Sequence, residues 1–183
     1  MMWKRFFLLL LSVLLVLSLT ACGKKDSSAD SSTSQTESES STAEAKTADR
    51  LIVRFGGNGA SFTMYLEDND TAKKIAEYVG TASWQLPIYH FDDYEGWEFF
   101  QYYDIPSRYE IPSNAETVTA EKAGEVYYSE PNRIVLFYQD AEISGEYTLV
   151  GHFDADEDFI SAVEDNPVLE GWGNKIVIIS AEE

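Results

Sequence analysis

The chain has a single cysteine, Cys22, among 183 residues. An internal disulfide and a multi-cysteine metal site are therefore excluded. Histidine is almost as scarce: His90 and His152 are the only two, and neither lies in an HExxH spacing, so no zinc-hydrolase arrangement is present. No G-x-S-x-G elbow occurs, which removes the usual sequence mark of a serine hydrolase. Positive charge is short as well, with 13 Lys and Arg against 32 Asp and Glu, a net charge of −19. Residues 51–183 hold seven of the bases and 26 of the acids, so this stretch carries the whole imbalance. Such a field keeps a domain soluble, disfavours nucleic acid and anionic lipid, and favours cations or basic ligands. No nucleic-acid partner is expected. Finally, the longest apolar stretch, Phe6 to Leu19, has 14 residues with only serines interrupting it. That is short of the roughly 20 a spanning helix needs.

What the chain does have begins with that stretch. Trp3-Lys4-Arg5 precedes it and Leu19-Thr20-Ala21 follows it, the layout of a secretory signal peptide. Cys22, directly after Leu-Thr-Ala, resembles the lipobox cysteine of bacterial lipoproteins. That resemblance implies cleavage before Cys22 and a diacylglyceryl group on its thiol. Lys24 to Asp49 is rich in Ser, Thr, Ala, Glu and Asp and contains no aromatic or large aliphatic side chain. Such a segment cannot bury enough surface to offset chain ordering, and reads as a flexible tether. The expected organisation is a lipoprotein signal peptide at 1–21, a lipidated Cys22 with its tether at 22–50, and a folded domain at 51–183. The expected address is the extracytoplasmic face of a bacterial cell membrane, with the lipid on Cys22 as anchor.

Within the domain, Leu51 to Phe55 reads as a strand and Gly56-Gly57-Asn58-Gly59 as a turn. A phosphate cradle is the sharper reading of those glycines, but no Lys-Ser/Thr follows them and the next segment is a strand. There Phe62, Met64 and Leu66 alternate with polar neighbours. Ala72, Ile75, Ala76 and Val79 then fall on one face of a helix, which Asp70 or Thr71 could cap and Gly80 could end. Strands are expected at Trp84 to Phe91 and Trp97 to Tyr103, and Pro87 marks an edge or a bulge. Asp104 to Lys122, broken by Pro106 and Pro112, reads as a long irregular loop.

The densest apolar segment is Ala123 to Asp140, predicted as a hairpin with strands at Glu125–Ser129 and Arg133–Gln139 around Glu130-Pro131-Asn132. A strand at Glu146 to Asp154, a short helix capped by Asp156, and a last strand at Lys175 to Ser180 complete the set. Asp154 to Asp158 alternates carboxylates as a calcium loop does. Phe159 follows where an EF-hand loop needs glycine, and helix N-termini attract acids for their own reason. No metal and no cofactor is expected. Eight short strands with two helices favour a closed β-barrel over an open sheet.

Three blocks resemble the bacterial cyclophilin-like proteins. They are Asp68 to Lys74, then Leu86-Pro87-Ile88 with Asp93 to Glu98, and finally Ala123 to Tyr128 with Ile134 to Tyr138 and Leu149-Val150-Gly151. The resemblance implies a mostly β fold, a closed eight-stranded antiparallel barrel with two short helices. The Phe-His-Arg motif of the prolyl isomerases does not occur here, and the central turn is Glu130-Pro131-Asn132 without tryptophan. The expected role is thus a peptide- or small-molecule-binding module without catalysis. The alternative is a weak prolyl isomerase acting on exported proteins, which would need an apolar cup and a hydrogen-bond donor but no nucleophile. Trp97, Phe99, Tyr128, Phe137 and Tyr138 could line such a cup, with Arg108 or Arg133 as donor, and the candidate ligand-binding residues are Trp97, Arg108, Tyr127, Tyr128, Arg133, Phe137 and Tyr138. The bland reading gives the aromatics to the core and the arginines to surface acids.

Overall fold

Alternating burial along residues 51–55 makes a strand with one apolar face. The computed structural model, which describes residues 48–89 and 95–182, contains it as β1 (Arg50–Phe55), with Leu51, Val53 and Phe55 buried. β2 (Ser61–Leu66) returns antiparallel across the glycine turn and buries Met64, with Phe62 and Leu66 packed on the same core. The expected signal peptide, Cys22 and nearly all of the tether lie outside the described residues, as do His90 and Phe91.

α1 (Asp70–Thr81) buries Ala72, Ile75, Ala76 and Val79, the predicted stripe. Its cap is Asn69 rather than Asp70 or Thr71. Asn69 has extended backbone and its Oδ1 accepts the Ala72 N–H at 2.9 Å. Its Nδ2 donates to the Leu149 carbonyl at 2.8 Å, which ties the helix start to the sheet. Thr71 is occupied elsewhere, buried and donating its hydroxyl to the Pro112 carbonyl at 2.7 Å. The helix runs past Gly80, because the Thr81 hydroxyl and the Ala82 N–H both reach the Tyr78 carbonyl.

The other elements are β3 (Trp84–Pro87), β4 (Phe100–Asp104), β5 (Glu116–Val118), β6 (Glu125–Ser129), β7 (Arg133–Phe137), β8 (Gly145–His152), α2 (Glu157–Glu164) and β9 (Ile176–Ser180). Asp156 caps α2 as expected, its Oδ1 accepting the Phe159 N–H at 2.8 Å. Glu157 and Asp158 sit in the first turn, where the helix dipole favours them. Ladders are antiparallel, in the order β3-β9-β1-β2-β8-β6-β7-β4, with β5 added to the N-terminal part of β8. The hairpin of β6 and β7 has the predicted strands and pairs Tyr127 with Val135, although β7 stops at Phe137 rather than Gln139.

The expected closed eight-stranded barrel is not formed. The sheet is open, with β3 and β4 at its two edges and no ladder between them among the described residues. One backbone hydrogen bond passes across, from the Tyr89 N–H to the Tyr102 carbonyl at 3.1 Å. Two local features stop a ladder. β3 ends after four residues on Pro87, which has no N–H to donate. On the other side, residues 95–99 form a turn, so β4 starts at Phe100 and not at Trp97. The stretch expected to be an irregular loop also contains a ninth strand among the described residues, β5. Three residues are too few to display an alternation.

Two cores lie on opposite faces of this sheet. The larger collects the inward residues of both sheet halves with the buried stripe of α1 and with Phe159 and Val163 of α2. Phe159 is its aromatic centre, 4.7 Å from the Phe153 ring in a stack and 5.5–5.8 Å from Phe62 and Phe55 edge-on. The smaller lies on the other face of β4, β6, β7 and β8. Tyr127, Val135 and Phe137 are buried there under Val118, Ala141 and Ile143, beside Phe100, Tyr102, Tyr147 and Leu149.

Candidate functional site

Strand geometry sends successive side chains to opposite faces, and this divides the candidate aromatics. Tyr128 and Tyr138 enter the larger core, and Tyr127 and Phe137 enter the smaller one. All four are at most 4% exposed, so none of them presents a ring to solvent. Tyr128 spends its hydroxyl on the Pro131 carbonyl at 2.6 Å, and Tyr138 donates to the Trp97 carbonyl. Trp97 is half-buried in the turn before β4.

The two arginines lie apart. Arg133 makes a two-pronged pair with Asp104, at 2.7 and 3.3 Å, and its guanidinium stands 3.7 Å above the Tyr102 ring. The hydrogen bond to Asp104 is the main cause that raises its pKa. That places Arg133 beside the smaller core, near Tyr127 and Phe137. Arg108 is exposed and rests on Tyr109, 4.6 Å from the ring centroid, with Nη2 donating to its hydroxyl at 3.1 Å. Tyr109 packs in turn on Tyr78 and Trp84. The structure thus gathers Tyr127, Phe137 and Arg133 on one face, and leaves Tyr128 and Tyr138 in the larger core, Trp97 in the turn before β4 and Arg108 at a further place.

Around the smaller core is a group that the sequence did not flag. Glu121 is 1% exposed. Its backbone pairs in both directions with Ala141, at 2.9 and 3.1 Å, and its Oε2 accepts the Ile143 N–H at 3.1 Å. Its Oε1 is buried with no hydrogen-bond partner among the described residues. Next to it, Glu125 Oε2 accepts both the Tyr127 hydroxyl and the Lys122 N–H at 2.7 Å. Burial, then the Glu125 hydrogen bond and charge, and then Glu121 push the Tyr127 phenol well above its ordinary range. Burial followed by Glu121 pushes up the Tyr147 phenol. Nothing in the Ala-Glu-Lys run at 120–122 marks the carboxylate as buried; only the pairing with Ala141 turns it inward.

Where the chain around Glu121 meets the 140–143 segment, the surface forms a shallow pocket of about 380 Å³ lined by Phe99, Ala120, Lys122, Asp140, Ala141, Glu142 and Ile143. Phe99 is 41% exposed and gives it an open aromatic wall. Asp140 is held by the Ala123 N–H and by Lys122 Nζ, both at 3.0 Å, and those contacts, in that order, lower its pKa. An aromatic wall with carboxylates at its rim suits an apolar group carrying a positive charge. A wider depression of about 840 Å³ runs along the outer side of α1, where Lys73 and Lys74 are already paired with Asp68 and Glu77.

With that geometry in hand, comparison with known proteins is informative. The sequence model of the cyclophilin-like family matches residues 55–169. No curated protein matches the chain. Among solved structures, McbB in complex with tryptophan superposes with a TM-score of 0.50 at 15% identity, covering 71% of this chain and 44% of McbB. This chain therefore spans less than half the length of McbB. The solution structure of the hypothetical protein AF2241 from Archaeoglobus fulgidus superposes with a TM-score of 0.49 at 16% identity, covering 76% of this chain and 99% of that one.

Proposed function

The chain belongs to the cyclophilin-like family, and from that premise we propose that it is a membrane-anchored extracytoplasmic lipoprotein whose domain binds a peptide or small molecule without catalysis. The observation that carries the reading is the pocket beside Phe99, an open aromatic wall with Asp140 and Glu142 in the lining. The arginines argue against isomerisation. Arg133 is committed to Asp104 and Tyr102, and Arg108 to Tyr109. Four of the candidate rings, Tyr127, Tyr128, Phe137 and Tyr138, are core and offer neither arginine an open cup. McbB was solved with tryptophan, so tryptophan and short peptides carrying an aromatic residue and a free amine are the first ligands to try.

The test is calorimetric titration of these compounds into the full chain held in non-ionic detergent, alongside a protease-coupled prolyl-peptide assay. Binding that weakens on Phe99→Ala, with prolyl rates at background, is the expected result. Prolyl acceleration that disappears on Arg133→Ala or Arg108→Ala would replace the reading with an isomerase. The anchor is tested by Cys22→Ala, which is expected to leave the chain unprocessed or released; a processed, membrane-bound variant would refute it.

A further inference from the structure

A second surface lies away from that pocket, where the chain passes from α2 to β9. Residues 167–174 close into a tight turn. Leu169 donates its N–H to the Asn174 carbonyl at 2.9 Å, and the Leu169 carbonyl accepts from Trp172 at 3.1 Å and Gly173 at 3.4 Å. Gly171 and Gly173 have φ of +82° and +73°, which side-chain-bearing residues rarely adopt. The turn holds Trp172 between them at 61% exposure and Val168 at 48%, the two most exposed large apolar residues described. Such exposure costs solubility and gains nothing for the core. Residues 170–174 also lie beyond the stretch matched by the family.

The chain around Trp172 is predominantly acidic, with Lys175 as its basic neighbour and Arg54 beside the Gly56–Gly59 turn. Glu170 is in the same turn, and Glu164 and Asp165 end the helix leading into it, with no basic residue in the last helical turn. Carboxylates at a helix C-terminus add to its negative pole instead of offsetting it. Lys175 Nζ donates to the Glu164 carbonyl at 3.1 Å. Beside the turn is a pocket of about 290 Å³, lined by Phe55 and Gly56 to Gly59 on one side and Pro167 to Glu170 on the other. Its walls are mainly apolar and it has room for an aliphatic side chain. An exposed indole face recognises a guanidinium or ammonium group, the acidic chain segment that carries it favours the same charge, and Trp is enriched among the anchors of protein interfaces. A domain of net charge −19 repels anionic lipid, which disfavours insertion of the same tryptophan into the membrane.

We propose that the 167–174 turn and the Gly56–Gly59 turn form a docking site for a basic segment of another protein. That segment sets an arginine or lysine on Trp172 and an adjacent aliphatic side chain in the pocket. The probe is a fluorescein-labelled peptide alternating arginine and leucine, followed by anisotropy with the full chain in non-ionic detergent. It should bind, weaken with salt, and weaken roughly ten-fold in Trp172→Ala and again in Glu170→Lys. Val168→Ser should weaken it through the pocket, and a glutamate–leucine peptide should not bind. All three substituted residues are exposed, so unchanged melting temperatures are expected and separate a lost contact from lost folding. Equal affinity for wild type and Trp172→Ala would overturn the proposal, because the peptide would then be held by diffuse charge alone. So would a Trp172-dependent association with phosphatidylglycerol vesicles, which would make the turn a membrane contact.

Discussion

Replacing Asn69 separates two interactions made by one side chain. Its Oδ1 caps α1 through Ala72, and its Nδ2 binds the Leu149 carbonyl 80 positions later in the chain. Loss of an N-cap costs about 1 kcal/mol, and loss of a partly buried hydrogen bond costs about another 1 kcal/mol. Asn69→Ala should therefore destabilise the fold by about 2 kcal/mol, or roughly 8 °C in Tm for a domain of this size. Asn69→Ser keeps a capping oxygen but cannot reach Leu149, so it should cost about 1 kcal/mol. Asn69→Asp keeps the cap and suits the helix dipole. It also sets a carboxylate oxygen against a carbonyl, and should end between wild type and alanine. Urea unfolding followed by circular dichroism gives the three values directly. If serine is as damaging as alanine, the cap contributes nothing; if aspartate matches wild type, the tie to β8 contributes nothing. Either result would refute the dual role.

Glu121→Ala removes the acceptor for the Ile143 N–H, and amide exchange at Ile143 should accelerate at least roughly ten-fold, as loss of about 1.4 kcal/mol of local protection requires; unchanged exchange would show that the carboxylate does not hold that segment. Phe159→Ala deletes a fully buried ring in contact with three others and should cost about 3–5 kcal/mol in urea unfolding; a loss below about 1 kcal/mol would mean α2 is peripheral to the core. Burial raises the Tyr103 phenol above its ordinary value of 10.0, so the folded state binds more protons than the unfolded state once pH exceeds that value. The Tyr103 contribution should be level below pH 10.0, and stability should fall as pH rises beyond it, less steeply in Tyr103→Phe; identical alkaline slopes would contradict the assignment. Asp140 acts in the opposite window, because its folded pKa lies below its ordinary 3.8. Its contribution is present above 3.8 and lost as pH falls through the folded value, so Asp140→Asn should flatten the acid limb, and an unaltered limb would count against it.

Period and composition carried much of the fold. The alternation of Phe62, Met64 and Leu66 and the stripe of Ala72, Ile75, Ala76 and Val79 depend only on neighbours along the chain, and both are present. Closure of the sheet depends on whether two distant edges meet in register. A four-residue strand ending on Pro87 and a turn at residues 95–99 decide that against a ladder, and a strand count contains neither fact. The hairpin showed the same limit at the site. Its alternation separates Tyr127 from Tyr128 and Phe137 from Tyr138, but a strand pattern cannot say that both faces are covered. The cover over Tyr127 and Phe137 comes from Val118, Ala141 and Ile143, in segments with too little regularity to be read beforehand. Glu121 was hidden for a related reason, since its burial is a property of the Ala141 bridge and not of its own neighbours.

Because β6, β7 and β8 are shared walls, each of them serves two masters. Tyr128, Leu136 and Val150 answer to the helices, while Tyr127, Phe137 and Leu149 answer to the cover carried on β5 and residues 141–143. Substitutions on opposite faces have few partners in common, so their effects should add. A lineage carrying this sheet can therefore rewrite its outer cover, and with it the pocket beside Phe99, while the helices keep the strands in place.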